Sequence, residues 1–191
     1  MIRKRVTSIL SKAYHVIILT MSFLEMFYPD EIENSAYEID YEDLYKKGFR
    51  GLIYDIDNTL VPHGFPADER AISLFSRLKE IGYSIVLLSN NKEGRVKMFN
   101  DSVDVLYIYK ANKPSKSGYL RACEMMGTGT DTTIFIGDQL FTDIWGAKRS
   151  KIKNILVKPI DKHEEIQIVL KRYLEAVVLH FYMKKSNGEK G

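Results

Sequence analysis

Short apolar runs alternate with amphipathic stretches along the chain from about residue 50 onward. Each run has four to seven residues and most are rich in Ile, Val, Leu or Tyr, a pattern typical of strands buried on both faces. The runs cover residues 51–54, 84–88, 103–109, 132–136 and 154–157. They predict five strands that are buried on both faces.

Helical patterns separate the predicted strands, at residues 67–81, 92–99, 115–126 and 140–149. Gly82 and Gly127 follow two of them as predicted caps. This alternation predicts an α/β fold of the Rossmann-like kind, a parallel sheet with helices on both faces. Ligands of such sheets bind beyond the carboxyl ends of the strands.

The two ends of the chain frame this core. We expect an N-terminal helical or irregular segment at 1–49, a catalytic core at 50–160, and a C-terminal amphipathic helix with a polar tail at 161–191. In the first segment, basic residues at 3–5 precede apolar positions between Val16 and Phe27, a stretch shorter than the ~20 residues that span a bilayer. An interfacial helix, a helix that covers the core, and a signal or membrane span all stay open. The C-terminal helix, predicted at 163–182, carries a broad apolar face.

Composition narrows the function only slightly. The chain has 191 residues and a formal net charge of +3, too weakly basic to predict a nucleic-acid partner. A single cysteine, Cys123, excludes an intramolecular disulfide and fits a reducing compartment. Oligomeric state cannot be predicted from this sequence.

Polar residues follow the first two predicted strands. Asp55 and Asp57 come directly after the strand at 51–54, where one carboxylate can act as a nucleophile and the other as a proton donor and acceptor. Their oxygens also suit Mg²⁺. Ser89 and Asn90 follow the strand at 84–88, where a helix N-terminus can bind phosphate. Taken singly, a turn or a helix cap explains each pair equally well.

Two further groups follow later strands. Lys113 lies in a loop ahead of a helix, where it can neutralise phosphate charge. Asp138 follows Gly137 at a strand end and is placed to bind a metal, while Asp143 can hold Lys113 or a metal-bound water. A solvated lysine and acids at a helix N-terminus are the simpler explanations.

The order of these groups, DxDxT, then Ser, then Lys, then GDxxxxD, closely resembles the haloacid dehalogenase-like hydrolase superfamily over about residues 50–160. The resemblance implies that Asp55 forms an aspartyl-phosphate and that Asp57 protonates the leaving group and then activates water. The residues that it implies for binding the substrate phosphate are Thr59, Ser89, Asn90 and Lys113. The resemblance implies that Asp55, Asp138 and the backbone carbonyl of Asp57 bind Mg²⁺. Thr59 would also support the loop that carries Asp55 and Asp57.

A narrower resemblance covers about residues 23–160. The segments Gly51–Pro62, Ser89–Lys92, Ala111–Pro114 and Gly137–Ile144 are similar to the YqeG family of subfamily IIIA phosphatases, which is related to mitochondrial phosphatidylglycerophosphate phosphatases. The chain departs from that pattern at 147–152 and in its unusually apolar C-terminal helix. The resemblance implies a phosphate-ester substrate, with a lipid headgroup as the leading class. It further implies a cytoplasmic enzyme or one peripheral on the inner membrane face.

The spacing of the motifs leaves no room for a lid. Between Thr59 and Ser89 lie 29 residues, and between Ser89 and Lys113 lie 23, which a helix and a strand nearly use up. We therefore expect an open site without a large cap domain, suited to a phosphate on a bulky molecule. A soluble phosphatase for a nucleotide, sugar phosphate or nucleic-acid end remains an alternative. A non-catalytic binding module is a second alternative, disfavoured because every reactive position is intact.

Overall fold

Six parallel strands form one open sheet in the computed structural model, which describes residues 22–161 and 166–188. The strands are β1 (Glu31–Glu33), β2 (Gly51–Tyr54), β3 (Ser84–Leu88), β4 (Leu106–Ile108), β5 (Thr133–Gly137) and β6 (Lys153–Val157). Their order across the sheet is β1-β6-β5-β2-β3-β4. The parallel α/β architecture predicted from the sequence is confirmed.

Helices connect the strands and cover both faces. They are α1 (Tyr41–Lys46), α2 (Glu69–Ile81), α3 (Glu93–Val103), α4 (Lys116–Met126), α5 (Trp145–Arg149) and α6 (Ile166–Gly188). The side chain of Asp68 caps the start of α2 by accepting a 2.8 Å hydrogen bond from the N–H of Ala71. Gly82 ends the same helix at φ 105°, a left-handed conformation that glycine adopts without steric cost.

The apolar runs of β2, β3, β5 and β6 are buried on both faces, as their pattern predicts. The run at 103–109 differs, because β4 lies at the edge of the sheet and Leu106 is exposed. Along β2, Leu52 and Tyr54 face a core that includes α2 and α3, while Ile53 faces a second core that includes α4. A third, smaller cluster joins Phe27 and Tyr28 to Val178 of α6. The sheet is thus the rigid centre from which the loops at its edge are displayed.

Strand register brings the motif loops together at one edge. Tyr54 at the end of β2 pairs with Ile136 of β5 on one side and with Leu87 of β3 on the other. The residues that follow these positions therefore emerge side by side. The N–H of Asp55 donates to the carbonyl of Ile136 at 3.0 Å, which extends the pairing of β2 and β5 into the loops.

Between the motifs the described chain forms only short connections. From Thr59 to Ser89 it forms α2 and β3, and from Ser89 to Lys113 it forms α3 and β4. Residues 22–161 thus contain no inserted cap domain, as the motif spacing predicts.

Several predicted elements differ from the structure. The strand predicted at 103–109 is shorter, because Val103 is the last residue of α3. The helix predicted at 140–149 opens with a π-helical turn, Leu140–Ile144. Strand β1 and helix α1 were not predicted, because three and six residues are too few to show a period. The interpretations of residues 1–21 lie outside the described residues.

The apolar face of the C-terminal helix does not simply pack on the core. Val178 is buried, but Leu170, Tyr173, Leu174 and Val177 are all exposed. No helix within the described residues is long and apolar enough to cross a membrane.

Helix α2 offers a test of the two-sided core. Leu78 is fully buried, whereas Ile72 on the same helix is 37% exposed. We predict that Leu78→Ala lowers the free energy of unfolding by about 2–5 kcal/mol, because it leaves a cavity in a packed interior. Ile72→Ala should cost about 1 kcal/mol or less. Urea denaturation measures both, and equal losses would contradict this assignment of the buried face.

Candidate active site

Three buried carboxylates meet one buried lysine at the carboxyl edge of the sheet. Carboxylate oxygens of Asp55, Asp138 and Asp143 lie within 4.8 Å of one another. The ammonium of Lys113 donates to Asp55 Oδ1 at 2.5 Å and to Asp143 Oδ1 at 2.7 Å. These four side chains come from the ends of β2 and β5, from the π-helical turn and from the loop before α4.

Burial and the charges of neighbouring groups shift the pKa values of the residues in this cluster. Burial raises the pKa of Asp55 to about 7, with Lys113 opposing the rise and Asp143 adding to it. Burial also raises the pKa of Asp138 well above its ordinary value, helped by the charges of Asp143 and Asp55. For Lys113 burial works against the charged form, but the carboxylates of Asp143 and Asp55 outweigh it and raise its pKa. The lysine is therefore a fixed positive charge.

Asp138 is held from two sides. Thr59 Oγ1 donates to Asp138 Oδ1 at 3.2 Å. From α6, Arg172 donates to the carbonyl of Asp138 at 2.7 Å and to its Oδ2. Arg172 also contacts Glu175, one turn further along, at 3.0 Å. Helix α6 thus braces the loop that carries the fourth motif.

Glu175 completes that brace. Its Oε1 accepts the N–H of Leu140 at 2.7 Å, which places the carboxylate at the start of the π-helical turn. Burial raises the pKa of Glu175, and Arg172 opposes that rise. Sequence reasoning missed Arg172 and Glu175. No local signal marks either residue, because Asp138 and Leu140, which they contact, lie 34 and 35 residues away in the chain.

The side chain of Asp57 lies apart from the three-carboxylate cluster. Its Oδ1 accepts from Arg95 Nη2 at 2.8 Å and from the N–H of Gly64 at 2.9 Å. Its Oδ2 accepts from Asn91 Nδ2 at 2.7 Å. His63 Nδ1 lies 3.6 Å from Oδ1. Hydrogen bonds from Arg95, Gly64 and Asn91 therefore fix the orientation of this carboxylate. Sequence reasoning did not identify the side chains of Arg95 and Asn91 as its partners.

The second and third motifs are tied to each other. Asn90 Oδ1 accepts the N–H of Lys113 at 2.7 Å, and Asn90 Nδ2 donates to the carbonyl of Lys113 at 3.1 Å. Ser89 is buried, and its Oγ accepts the N–H of Asn91 at 3.1 Å. The Asn90 amide therefore positions the lysine backbone.

A polar cavity of about 290 Å³ opens above these groups. Its lining residues are Asp55, Asp57, His63, Ser89, Asn90, Asn91, Lys113, Gln139, Thr142 and Lys171. Five of the eight predicted site residues therefore border one cavity. The other three, Thr59, Asp138 and Asp143, are buried next to it and contact the cluster.

The donor set fits a divalent cation. The cluster contains four carboxylates, from Asp55, Asp138, Asp143 and Glu175, and two cationic side chains, from Lys113 and Arg172. With every group ionised, two negative charges remain uncompensated among these six residues. Carboxylate oxygens are hard donors, which suit hard divalent cations. The three clustered carboxylates can therefore hold a metal.

Comparison with known proteins defines the class. A family model described as haloacid dehalogenase-like hydrolase matches residues 63–151. The chain is 35% identical over 164 residues to a probable phosphatase, YqeG, of Bacillus subtilis, a match that covers 85% of this chain and 95% of that protein. The protein is a phosphatase of the haloacid dehalogenase-like class. Within that class, the chain belongs to the YqeG family.

More distant proteins share less of the sequence. The chain is 28% identical over 166 residues to phosphatidylglycerophosphate phosphatase 1 of Arabidopsis thaliana. This match covers 77% of this chain and 45% of the plant protein. Among solved structures, a putative 3-deoxy-D-manno-octulosonate 8-phosphate phosphatase from Vibrio cholerae is similar at 18% identity and a TM-score of 0.47. That match covers 63% of this chain and 72% of the other.

Gly137 gives a test of the cluster's close packing. A Cβ at this position would lie 2.7 Å from both Asp143 Oδ2 and Phe135 Cε1. We predict that Gly137→Ala displaces Asp143 from Lys113 and lowers kcat by up to ~100-fold, the cost of a misplacement of about 1 Å. Gly94→Ala is the matched control, because nothing lies within 4 Å of its added Cβ. Full activity in Gly137→Ala would contradict this packing.

Proposed function

We propose that this phosphatase uses Mg²⁺ and Asp55 to hydrolyse the phosphate monoester of phosphatidylglycerophosphate. The observation that carries the chemistry is the position of Asp55. Its carboxylate borders the cavity, 2.5 Å from the Lys113 ammonium and within 4.8 Å of the oxygens of Asp138 and Asp143. A nucleophile beside a fixed positive charge and a metal-binding set is what phosphoryl transfer requires.

In the proposed reaction, Asp55 attacks phosphorus while the bond from phosphorus to the ester oxygen breaks. Asp57 gives its proton to that oxygen, so the alcohol leaves neutral. Water then attacks the aspartyl-phosphate and Asp57 takes its proton, which releases inorganic phosphate and restores Asp55. Arg95, Asn91 and Gly64 hold Asp57 at the cavity wall for both transfers.

The remaining residues stabilise charge. Lys113 and Ser89 would bind the phosphoryl oxygens, and Asn90 would support this by fixing the Lys113 backbone. Mg²⁺, held by Asp55, Asp138 and the backbone carbonyl of Asp57, would neutralise charge on the transferring phosphoryl group. Mg²⁺ is favoured over softer metals because the three clustered side chains offer only carboxylate oxygens.

The size and openness of the site support a lipid headgroup. A cavity of about 290 Å³ suits a phosphoglycerol head but not a whole phospholipid, so the acyl chains would stay outside. Residues 22–161 provide no cap to enclose a small metabolite. The similarity to a plant protein named for phosphatidylglycerophosphate supports the same substrate. We propose that the enzyme is cytoplasmic or peripheral on the inner face of the membrane that contains this lipid.

Phosphate release tests the substrate and the nucleophile together. With Mg²⁺, we expect the wild type to hydrolyse both p-nitrophenyl phosphate and phosphatidylglycerophosphate in mixed micelles, with a higher kcat/KM for the lipid. Asp55→Asn should retain less than ~1% of either activity, because the amide cannot attack phosphorus. Hydrolysis of p-nitrophenyl phosphate alone would support the proposed reaction but contradict the proposed lipid substrate. A fully active Asp55→Asn would overturn the mechanism.

Proton and metal binding should compete at Asp55. Burial raises its pKa from 3.8 to about 7, so its contribution to stability is present below pH 4 and is lost as the pH rises through 7. Metal-free protein should therefore melt at a lower temperature at pH 8 than at pH 5. Added Mg²⁺ should raise the melting temperature more at pH 8, where it displaces no proton.

Asp55→Asn is the matched control for this titration. The variant should lose the part of the pH dependence that lies between about pH 4 and 7, because its amide does not titrate. Melting temperatures that do not change with pH, or that change equally in the variant, would contradict the assignment.

A further inference from the structure

The outward face of α6 carries a stripe of large apolar side chains. Leu170, Tyr173, Leu174 and Val177 are 67%, 70%, 56% and 52% exposed, respectively. Their spacing of i, i+3, i+4 and i+7 places them on one side of the helix. Single exposed apolar residues are ordinary, but a contiguous row beside a functional cavity marks an interaction surface. We call these four residues the α6 stripe.

The exposed charged side chains of α6 between residues 170 and 186 have one sign. Lys171 and Lys184 are exposed on the same helix. Between residues 170 and 186 the only acid is Glu175, which is buried and turned toward Leu140 and Arg172. The outward face of this segment therefore combines apolar side chains with positive charge, as in helices that lie in the surface of an anionic membrane.

The stripe lies beside the active site. Lys171, next to Leu170, lines the catalytic cavity, and Arg172 contacts the carboxylate of Asp138. On the first motif's loop, His63 lines the same cavity and Phe65, two residues on, is 61% exposed. A surface that contacts α6 would therefore be at the mouth of the cavity.

We propose that the α6 stripe docks this enzyme on the surface of an anionic bilayer. The apolar side chains would enter the interface, and Lys171 and Lys184 would contact lipid phosphates. This orientation would present the cavity to headgroups in the plane of the membrane. The proposal deepens the lipid-substrate part of the proposed function and rests on it.

Charge favours a bilayer over a second copy of the chain. If two copies of the chain paired through α6 about a two-fold axis, the positively charged face of one copy would contact the same face of the other. Lys171 and Lys184 would then gain no compensating carboxylate, because the outward face of residues 170–186 carries none. An anionic membrane supplies that compensation.

Co-sedimentation with vesicles tests the docking. We expect the full chain to pellet with vesicles of phosphatidylcholine and phosphatidylglycerol at 3:1, and much less with phosphatidylcholine alone. Salt at 0.5 M should weaken the binding, since it screens exposed charges. The double variant Leu174→Ser, Val177→Ser should lose at least ~10-fold in binding, because two inserted apolar side chains are removed.

Leu120→Ser is the matched control, because Leu120 is a 46% exposed leucine on α4, outside the stripe. It should bind vesicles as the wild type does. Thermal melting confirms that the variants are folded, since all three altered side chains are exposed. Wild-type vesicle binding by the double variant would overturn the proposal.

Activity separates docking from chemistry. The double variant should hydrolyse p-nitrophenyl phosphate and a monomeric, short-chain phosphatidylglycerophosphate at the wild-type rate. Its rate on the same headgroup in vesicles should fall at least ~10-fold. An equal loss on the monomeric and vesicle substrates would overturn the docking role. Absence of lipid hydrolysis by the wild type in both forms would instead remove the proposed substrate, and the vesicle-binding result would stand by itself.

Size-exclusion chromatography with light scattering completes the test. We expect wild type and double variant to elute with the same mass. A wild-type dimer that becomes a monomer on substitution would show that the stripe joins two copies, and would overturn the membrane assignment.

Discussion

The salt bridge of Lys113 with Asp55 and Asp143 is the contact on which the site depends. All three groups are buried, and taking charges out of water is costly unless they are paired and hydrogen-bonded. The lysine reaches both carboxylates only because β2 and β5 are neighbours and the loop before α4 lies across their ends. The requirement to pair this one ammonium therefore fixes the relative positions of three segments distant in sequence.

The same charge balance explains the arrangement around Asp138. Lys113 pairs with two carboxylates of the cluster, while Asp138 is bonded to Thr59 and to Arg172 of α6. A helix far along the chain thereby becomes part of the catalytic edge. Its inner face supplies the polar contacts of Arg172 and Glu175, and its outer face remains apolar. The structure thus links the loop that carries Asp138 to a helix whose opposite face exposes apolar side chains.

Sequence patterns predicted the central strands of the sheet more accurately than the edge strand β1. The bounds of β2 and β3 match the predicted runs, because strands buried on both faces are continuous in apolar residues. Strand β1 was missed because its three residues, Glu31–Glu33, show no such run and pair only with β6. The pattern of α6 predicts a broad apolar face, and four residues of that face are exposed, since periodicity shows which residues share a face but not what that face meets.

The candidate site divides in a similar way. Asp55, Ser89 and Asp138 each follow a strand directly, so the fold alone brings them to one edge. The site also depends on contacts between elements that are distant in sequence. These contacts join Arg95 to Asp57, Arg172 to Asp138 and Glu175 to Leu140. An arginine on a helix carries no local mark of the carboxylate that it will meet. Long-range pairing of this kind depends on packing and could not be predicted from the sequence.

The most direct test of the central claim is to trap the covalent intermediate. The full chain with Mg²⁺ would be mixed for milliseconds with a ³²P-labelled phosphate ester that it hydrolyses, and the reaction would be quenched in acid. Peptide mapping would then locate the labelled residue. We predict an acid-stable, hydroxylamine-sensitive label on the peptide that contains Asp55, absent from Asp55→Asn. A label on another residue, or turnover without any labelled protein at times shorter than one catalytic cycle, would contradict the assignment of Asp55 as the nucleophile.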